Sequence, residues 1–150
     1  MPPRTNPWQA YRKVATQTAT PGLLVLQLYD GILRFLDQAR LGFAKDDPKE
    51  FNEIINNNIQ RAQAIVRELD AALDMTGGGS IALTLRRLYD YFDRQLQESN
   101  LHKTEAGLNE VTRHVIILRD AWKEMLANGG ASQLPGALDL PDPNASVPSP

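Results

Sequence analysis

Between Asp47 and Leu73 the chain carries one sustained amphipathic period. Phe51, Ile54, Ile55, Ile59, Ala62, Ile65, Val66, Leu69 and Leu73 recur at the spacing that puts side chains on one face of a helix with about 3.6 residues per turn. No alternating strand pattern competes with it. The segment opens with Asp47-Pro48-Lys49-Glu50, which reads as an N-cap acid, a proline at the first helical position and a glutamate placed to reach back as in a capping box. A long helix with a single apolar face must bury that face against other elements, so this stretch predicts helix-on-helix packing.

Three further segments share the period. Thr20-Pro21 is a start signal for a strongly apolar helix from Leu23 to Phe43, roughly 30 Å long at the α-helical rise. Gly77-Gly78-Gly79 ends the second helix, and Ser80 is placed to cap a third with the stripe Ile81, Leu85, Leu88, Tyr89, Phe92 and Leu96. A break near Asn100 to Thr104 precedes a fourth, with Leu108, Val111, Val115, Leu118, Trp122 and Met125. Trp8, Tyr11, Val14 and Ala15 after Asn6-Pro7 predict a short amphipathic helix at the N-terminus. Short connections between helices of similar length favour antiparallel neighbours. The expected fold is therefore all-α: an antiparallel up-and-down four-helix bundle over 21–128, with a short additional N-terminal helix in an arm over 1–20. The stretch 129–150 holds half of the ten prolines and is expected to be a disordered tail.

Composition narrows the function. The 16 Lys and Arg nearly balance 18 Asp and Glu, so no strong field draws nucleic acid or anionic lipid. Zero cysteines remove disulfides, thiolate chemistry and Cys-based zinc sites, and fit a cytoplasmic location. The first residues do not read as a signal peptide, and no segment approaches the roughly 18 apolar residues that suggest a membrane span, so no direct membrane insertion is expected.

Leu-Tyr-Asp occurs twice, at Leu28-Tyr29-Asp30 and Leu88-Tyr89-Asp90, with partly matching flanks. Each Asp stands four residues before an arginine, Arg34 and Arg94, which predicts two helix-surface ion pairs, while Tyr29 and Tyr89 are expected to be packing anchors with satisfied hydroxyls. Gly31 follows the first copy in mid-helix, where glycine costs about 1 kcal/mol relative to alanine. A tight helix crossing and close approach by a partner both account for it.

Little of this supports catalysis. Glu98 precedes His102, and Glu110 precedes His114, by four residues, whereas di-iron carboxylate bundles use Glu-x-x-His and glutamates from the other helices; the first helix contains none. Surface pairs explain both, and no metal or cofactor is expected. His114 on a bundle is a candidate phosphoryl acceptor, but Val115-Ile116-Ile117 follows where phosphotransfer domains usually have Lys-Gly. The glycine run lacks the Lys-Ser/Thr ending that grips phosphates, and Ser80 has no base to activate it. No enzyme is expected. What remains is surplus apolar surface: Ile116, Ile117 and Leu126 lie beyond the main stripe of the fourth helix, and the first helix is apolar around most of its circumference. For the first helix the leading reading is a central buried helix; for the fourth, the surplus points to a groove covered by a partner.

The ordered set Ala10-Tyr11, Thr18-Ala19-Thr20-Pro21, Leu28-Tyr29-Asp30-Gly31, Arg61-Ala62-Gln63-Ala64-Ile65-Val66-Arg67-Glu68-Leu69, Gly78-Gly79, Leu88-Tyr89-Asp90-Tyr91, Glu110-Val111 and Ala121-Trp122 resembles the FliS family of flagellar secretion chaperones over roughly Ala10 to Met125. Ser80, Thr84 and Ser99 stand where that pattern has an acidic residue, an Asn and an Ala. The resemblance implies a cytoplasmic bundle that binds the C-terminal segment of flagellin in hydrophobic grooves. Such binding keeps flagellin from polymerising early and supports its export by the flagellar type III apparatus. It also implies an N-terminal arm, with Ala10 and Tyr11, that folds over part of the surface in the free protein; an export-gate component is a further candidate partner. The candidate partner-binding residues are Tyr11, Leu24, Leu28, Gly31, Ile32, Ile55, Ile59, Tyr91, Ile116, Ile117 and Trp122. A phosphorelay bundle or a general helical adaptor is the alternative reading.

Overall fold

The structure, a computed structural model, describes residues 20–129. Four helices follow one another: α1 (Pro21–Phe43), α2 (Pro48–Ala71), α3 (Gly79–His102) and α4 (Ala106–Ala127). Among the described residues there is no strand. The expected N-terminal helix and the expected tail lie outside them.

Residue pairs fix the arrangement. Gly42, near the end of α1, meets Ile54 near the start of α2. Across the next seam Asn100 pairs with Asn56, Gln97 with Gln63, Asp93 with Arg67 and Arg86 with Asp70, so α3 runs opposite to α2. Ser99 meets Leu108 at the α3–α4 turn, and α4 returns along α1 through Asn109 on Arg40, Arg119 on Asp30 and Trp122 on Gly22. The four helices form a closed antiparallel ring in which α1 and α3 stand diagonally.

The apolar stripes meet inside this ring. Val25, Ile32 and Leu36 of α1, Ile55, Ile59 and Ile65 of α2, Phe92 and Leu96 of α3, and Leu108, Val111 and Val115 of α4 have no exposed surface. Full burial of such a side chain contributes roughly 1.5–3 kcal/mol, enough in sum to outweigh any local helix preference. Tyr29 and Tyr89 are buried with them, their hydroxyls 2.7 Å apart. The Trp122 indole N–H donates to the Gly22 carbonyl at 2.6 Å and its ring meets Tyr29 edge-on. Glycine is required where α3 and α4 approach most closely: an added Cβ at Gly107 would collide with the backbone carbonyl oxygen of Gln95.

Several local expectations need correction. The Thr20 hydroxyl does cap α1, accepting from the Leu23 N–H at 3.2 Å. Asp47 occupies the N-cap of α2, but its side chain makes no cap hydrogen bond, so that start rests on Pro48 and on the Phe51 N–H bonded to the Asp47 carbonyl at 2.9 Å. Ser80 does not cap α3: Gly78 is the N-cap and Ser80 lies within the first turn. The turn before it is organised instead by Asp74, whose carboxylate accepts from the backbone N–H groups of Gly77 and Thr76 and from the Thr76 hydroxyl, which lowers its pKa. The break expected near Asn100 to Thr104 is found there: α3 continues to His102 and stops at Lys103, a left-handed residue with φ 51°. Its ammonium donates to the Asn100 carbonyl and side-chain oxygens, both at 2.7 Å.

Candidate interaction surface

Helix α4 buries Val111, Val115 and Trp122 but turns two large apolar residues outward: Ile116 is 39% and Ile117 58% exposed. Their position follows from helical spacing. Ile116 falls between Thr112 and Arg119 on the row facing α1, and Ile117 lies one turn beyond His114 on the row facing α3.

Each row is polar and tied to its neighbouring helix. On the α1 side, the Arg40 guanidinium donates to Asn109 at 3.0 Å, to Thr112 at 3.2 Å and to Asp37 at 2.8 Å. Arg119 reaches Asp30 at 3.4 Å and Asp120 at 2.9 Å. Half-buried Leu26 and Leu33 continue the apolar surface beside them. On the α3 side, Glu110 gathers Arg113 at 2.6 Å, His114 at 2.9 Å and the Tyr91 hydroxyl at 3.3 Å. Those partners, Arg113 first, hold its carboxyl down to a pKa of about 2. The His114 ring is edge-on to Tyr91 and tilted against Phe92. The result is a pair of exposed isoleucines, one within each hydrogen-bonded row, on the outer face of α4; this face is called the α4 strip. His114 is thus engaged by Glu110 and by the rings of Tyr91 and Phe92.

The candidate residues separate into two groups. Leu24 and Tyr91 are half-buried and Ile116 and Ile117 exposed. Leu28, Gly31, Ile32, Ile55, Ile59 and Trp122 are buried, behind the surface. Tyr11 lies outside the described residues. Leu126, counted with the surplus of the fourth helix, is half-buried against the core. Sequence reasoning missed Leu23 and Leu83, which are 39% and 42% exposed. Leu23 begins a helix apolar on most sides and gave no signal, whereas Leu83 falls off the Ile81–Leu85–Leu88 face.

A second concavity, of about 470 Å³, opens at the α2–α3 seam near the start of α3. Val66, Leu83 and Tyr89 line it with Arg67, Arg86, Arg87, Asp70, Asp90 and Asp93. Arg67 pairs with Asp93, Arg86 with Asp70 and Arg94 with Asp90. Among the described residues no group of three or more His, Cys, Asp or Glu is placed to hold a metal ion, and no helix is long and apolar enough to cross a membrane.

Comparison with known proteins points to one family. A family model described as flagellar protein FliS matches residues 4–129. The chain is similar to the flagellar secretion chaperone FliS of Bacillus subtilis, 36% identical over 121 residues that cover 81% of this chain and 86% of that protein. It is also similar to the flagellar secretion chaperones FliS of Salmonella typhimurium, 33% identical over 78% of this chain and 87% of the relative, and of Campylobacter jejuni, 31% identical over 84% and 95%.

Proposed function

The chain belongs to the FliS family of flagellar proteins, and from that membership we propose that its α4 strip holds the C-terminal segment of flagellin. Its function is that of a flagellar secretion chaperone: it escorts an export substrate and carries out no chemistry of its own. The observation that carries the strip assignment is the outward exposure of Ile116 and Ile117, one on each of two rows of hydrogen-bonded polar side chains. An amphipathic client helix would lay its apolar face on the isoleucines and its polar flanks on the polar side chains of these rows, the usual logic of helix-in-groove recognition.

A client segment that folds on binding gives up roughly 2–5 kcal/mol in ordering, so a long contact is needed to leave useful affinity. Leu24 and Tyr91 extend the strip on either side, while Leu28, Gly31, Ile32, Ile55, Ile59 and Trp122 support it from within. The rigid core matters here because a preorganised surface leaves the ordering cost with the client alone. Covering the client's apolar face would keep it from assembling with other flagellins in the cytoplasm before export through the type III apparatus. The N-terminal arm, with Tyr11, would lie over part of this surface until the client arrives, and an export-gate component would engage the loaded complex.

The test is a binding comparison between full-length flagellin and flagellin lacking only its C-terminal segment. The proposal expects a stable complex with the first and none with the second; equal binding to both overturns it.

A further inference from the structure

The α2–α3 concavity is not part of the α4 strip. Val66 and Tyr89 line it from the core side, 2% and 1% exposed, and Leu83 lines it with 42% of its surface exposed. At the rim, ion pairs occupy Arg67, Arg86, Asp70, Asp90 and Asp93, whereas Arg87 has no partner among the described residues. A chain that covers this groove must therefore bring aliphatic side chains for the apolar lining and negative charge for Arg87.

The chain's own C-terminal stretch has that composition. From Gly129 onward it contains Asp139 and Asp142, no Lys and no Arg, and Leu138, Asp139 and Leu140 place an acid between two leucines. It also starts at the right end of the molecule. Helix α4 ends at Ala127, beside the start of the antiparallel α3, where Leu83 and Arg87 lie. The stretch from Asn128 to Leu138 can span at most roughly 36 Å at 3.3 Å per residue. One helix diameter is about 10 Å, so a tether of that length is long enough to reach around α3 to the seam. Pro135, Pro141 and Pro143 fix their own backbone angle and lack an N–H, which leaves the segment fewer conformations to lose on docking. Tethering raises the effective concentration of such a segment to the millimolar range, so a weak individual contact suffices.

We propose that the α2–α3 groove is an intramolecular docking site for the segment Leu134 to Asp142, with Leu138 and Leu140 on Val66, Leu83 and Tyr89 and Asp139 against Arg87. The docked segment covers an apolar edge of the bundle remote from the α4 strip. This contact does not depend on the identity of the client.

The absence of cysteine allows a direct test. Asn144→Cys in the full chain takes a single nitroxide label, and amide signals are compared with the label oxidised and reduced. The proposal expects Val66, Leu83 and Arg87 to lose most of their intensity while Ile116 and Ile117 keep theirs. It also expects the loss to disappear in Leu138→Asp/Leu140→Asp and to diminish in Arg87→Glu, two changes that spare every core residue. Unchanged intensities at the groove, or losses centred on the α4 strip, overturn it. Losses that occur only between labelled and unlabelled chains in a mixture, and vanish on dilution, assign the groove to a second copy and overturn it equally.

Discussion

The hydroxyls of Tyr29 and Tyr89 meet at 2.7 Å in the centre of the bundle, linking the two diagonal helices α1 and α3. Each is the middle residue of one Leu-Tyr-Asp copy, so the repeated motif is a self-complementary contact. Being buried, either hydroxyl is satisfied by the other in the dry interior. The pair sets the relative height of α1 and α3, because a one-turn slip would strand both groups.

Replacing one tyrosine strands its partner. Tyr29→Phe or Tyr89→Phe should each lower stability by about 1–3 kcal/mol, the penalty for a buried hydroxyl without a partner. The double variant should lose less than the sum, because both polar groups leave together. Urea denaturation of the four proteins checks this, and strictly additive losses would contradict it.

The same pair predicts alkaline sensitivity. Burial pushes the Tyr29 phenol up to about 12, against a lowering from its hydrogen bond to Tyr89. Tyr89 is raised in the same direction by burial first, and then by the neighbouring Tyr29 and by Asp70. A group whose folded pKa is raised gives stability that is complete below its unfolded value, near 10 for tyrosine, and is lost as pH climbs through the folded value. The urea midpoint should therefore fall between about pH 10 and 12, and the slope should flatten in Tyr29→Phe/Tyr89→Phe.

Acid acts through the row facing α3. Glu110 is depressed to about 2 by Arg113, then by His114 and Tyr91, so its contribution is present above the unfolded glutamate value and lost as pH falls toward 2. The carboxylate signal of Glu110 should titrate well below those of exposed glutamates in an NMR pH series. Arg113→Ala should move it back toward the ordinary value.

The α3–α4 turn depends on two small residues. Ser99, fully buried, lends its hydroxyl oxygen to the Leu108 N–H at 2.8 Å and so caps α4 from the preceding helix. Ser99→Ala should cost about 1–2 kcal/mol, as for loss of an N-cap. Gly107→Ala should also destabilise, reversing the gain of up to about 1 kcal/mol that alanine brings inside a helix, because the added Cβ meets the Gln95 carbonyl. Thermal unfolding of both variants reads the signs.

What was legible in the sequence followed from periodicity. From Ile55 to Leu69 the predicted stripe became the buried face of α2, with Phe51 and Ile54 half-buried and Leu73 buried just past the helix end, and each of the four predicted helices formed close to its expected place. Pairings between neighbours on one helix were also legible: Asp90 meets Arg94 at 3.6 Å and Glu98 meets His102 at 3.0 Å. Contacts between helices were not. Arg119 of α4 reaches Asp30 at 3.4 Å, a cation brought in by the seam that no local spacing encodes. Ser99 looked like a departure from a family pattern, and only the turn geometry gives it a role as a cap. The candidate surface was partly legible for the same reason. Ile116 and Ile117 fall off their stripe and are exposed, but Ile55 and Ile59 lie on theirs and are buried, as is Ile32 of the first helix.

The central claim is that the α4 strip binds the client, and calorimetric titration of the C-terminal flagellin segment into this protein and into Ile116→Asp/Ile117→Asp tests it most directly. Both isoleucines are off the core, so the variant should melt at the temperature of the original chain while binding at least about tenfold more weakly, a loss of roughly 1.4 kcal/mol. Unchanged affinity in a variant with an unchanged melting temperature would contradict the account.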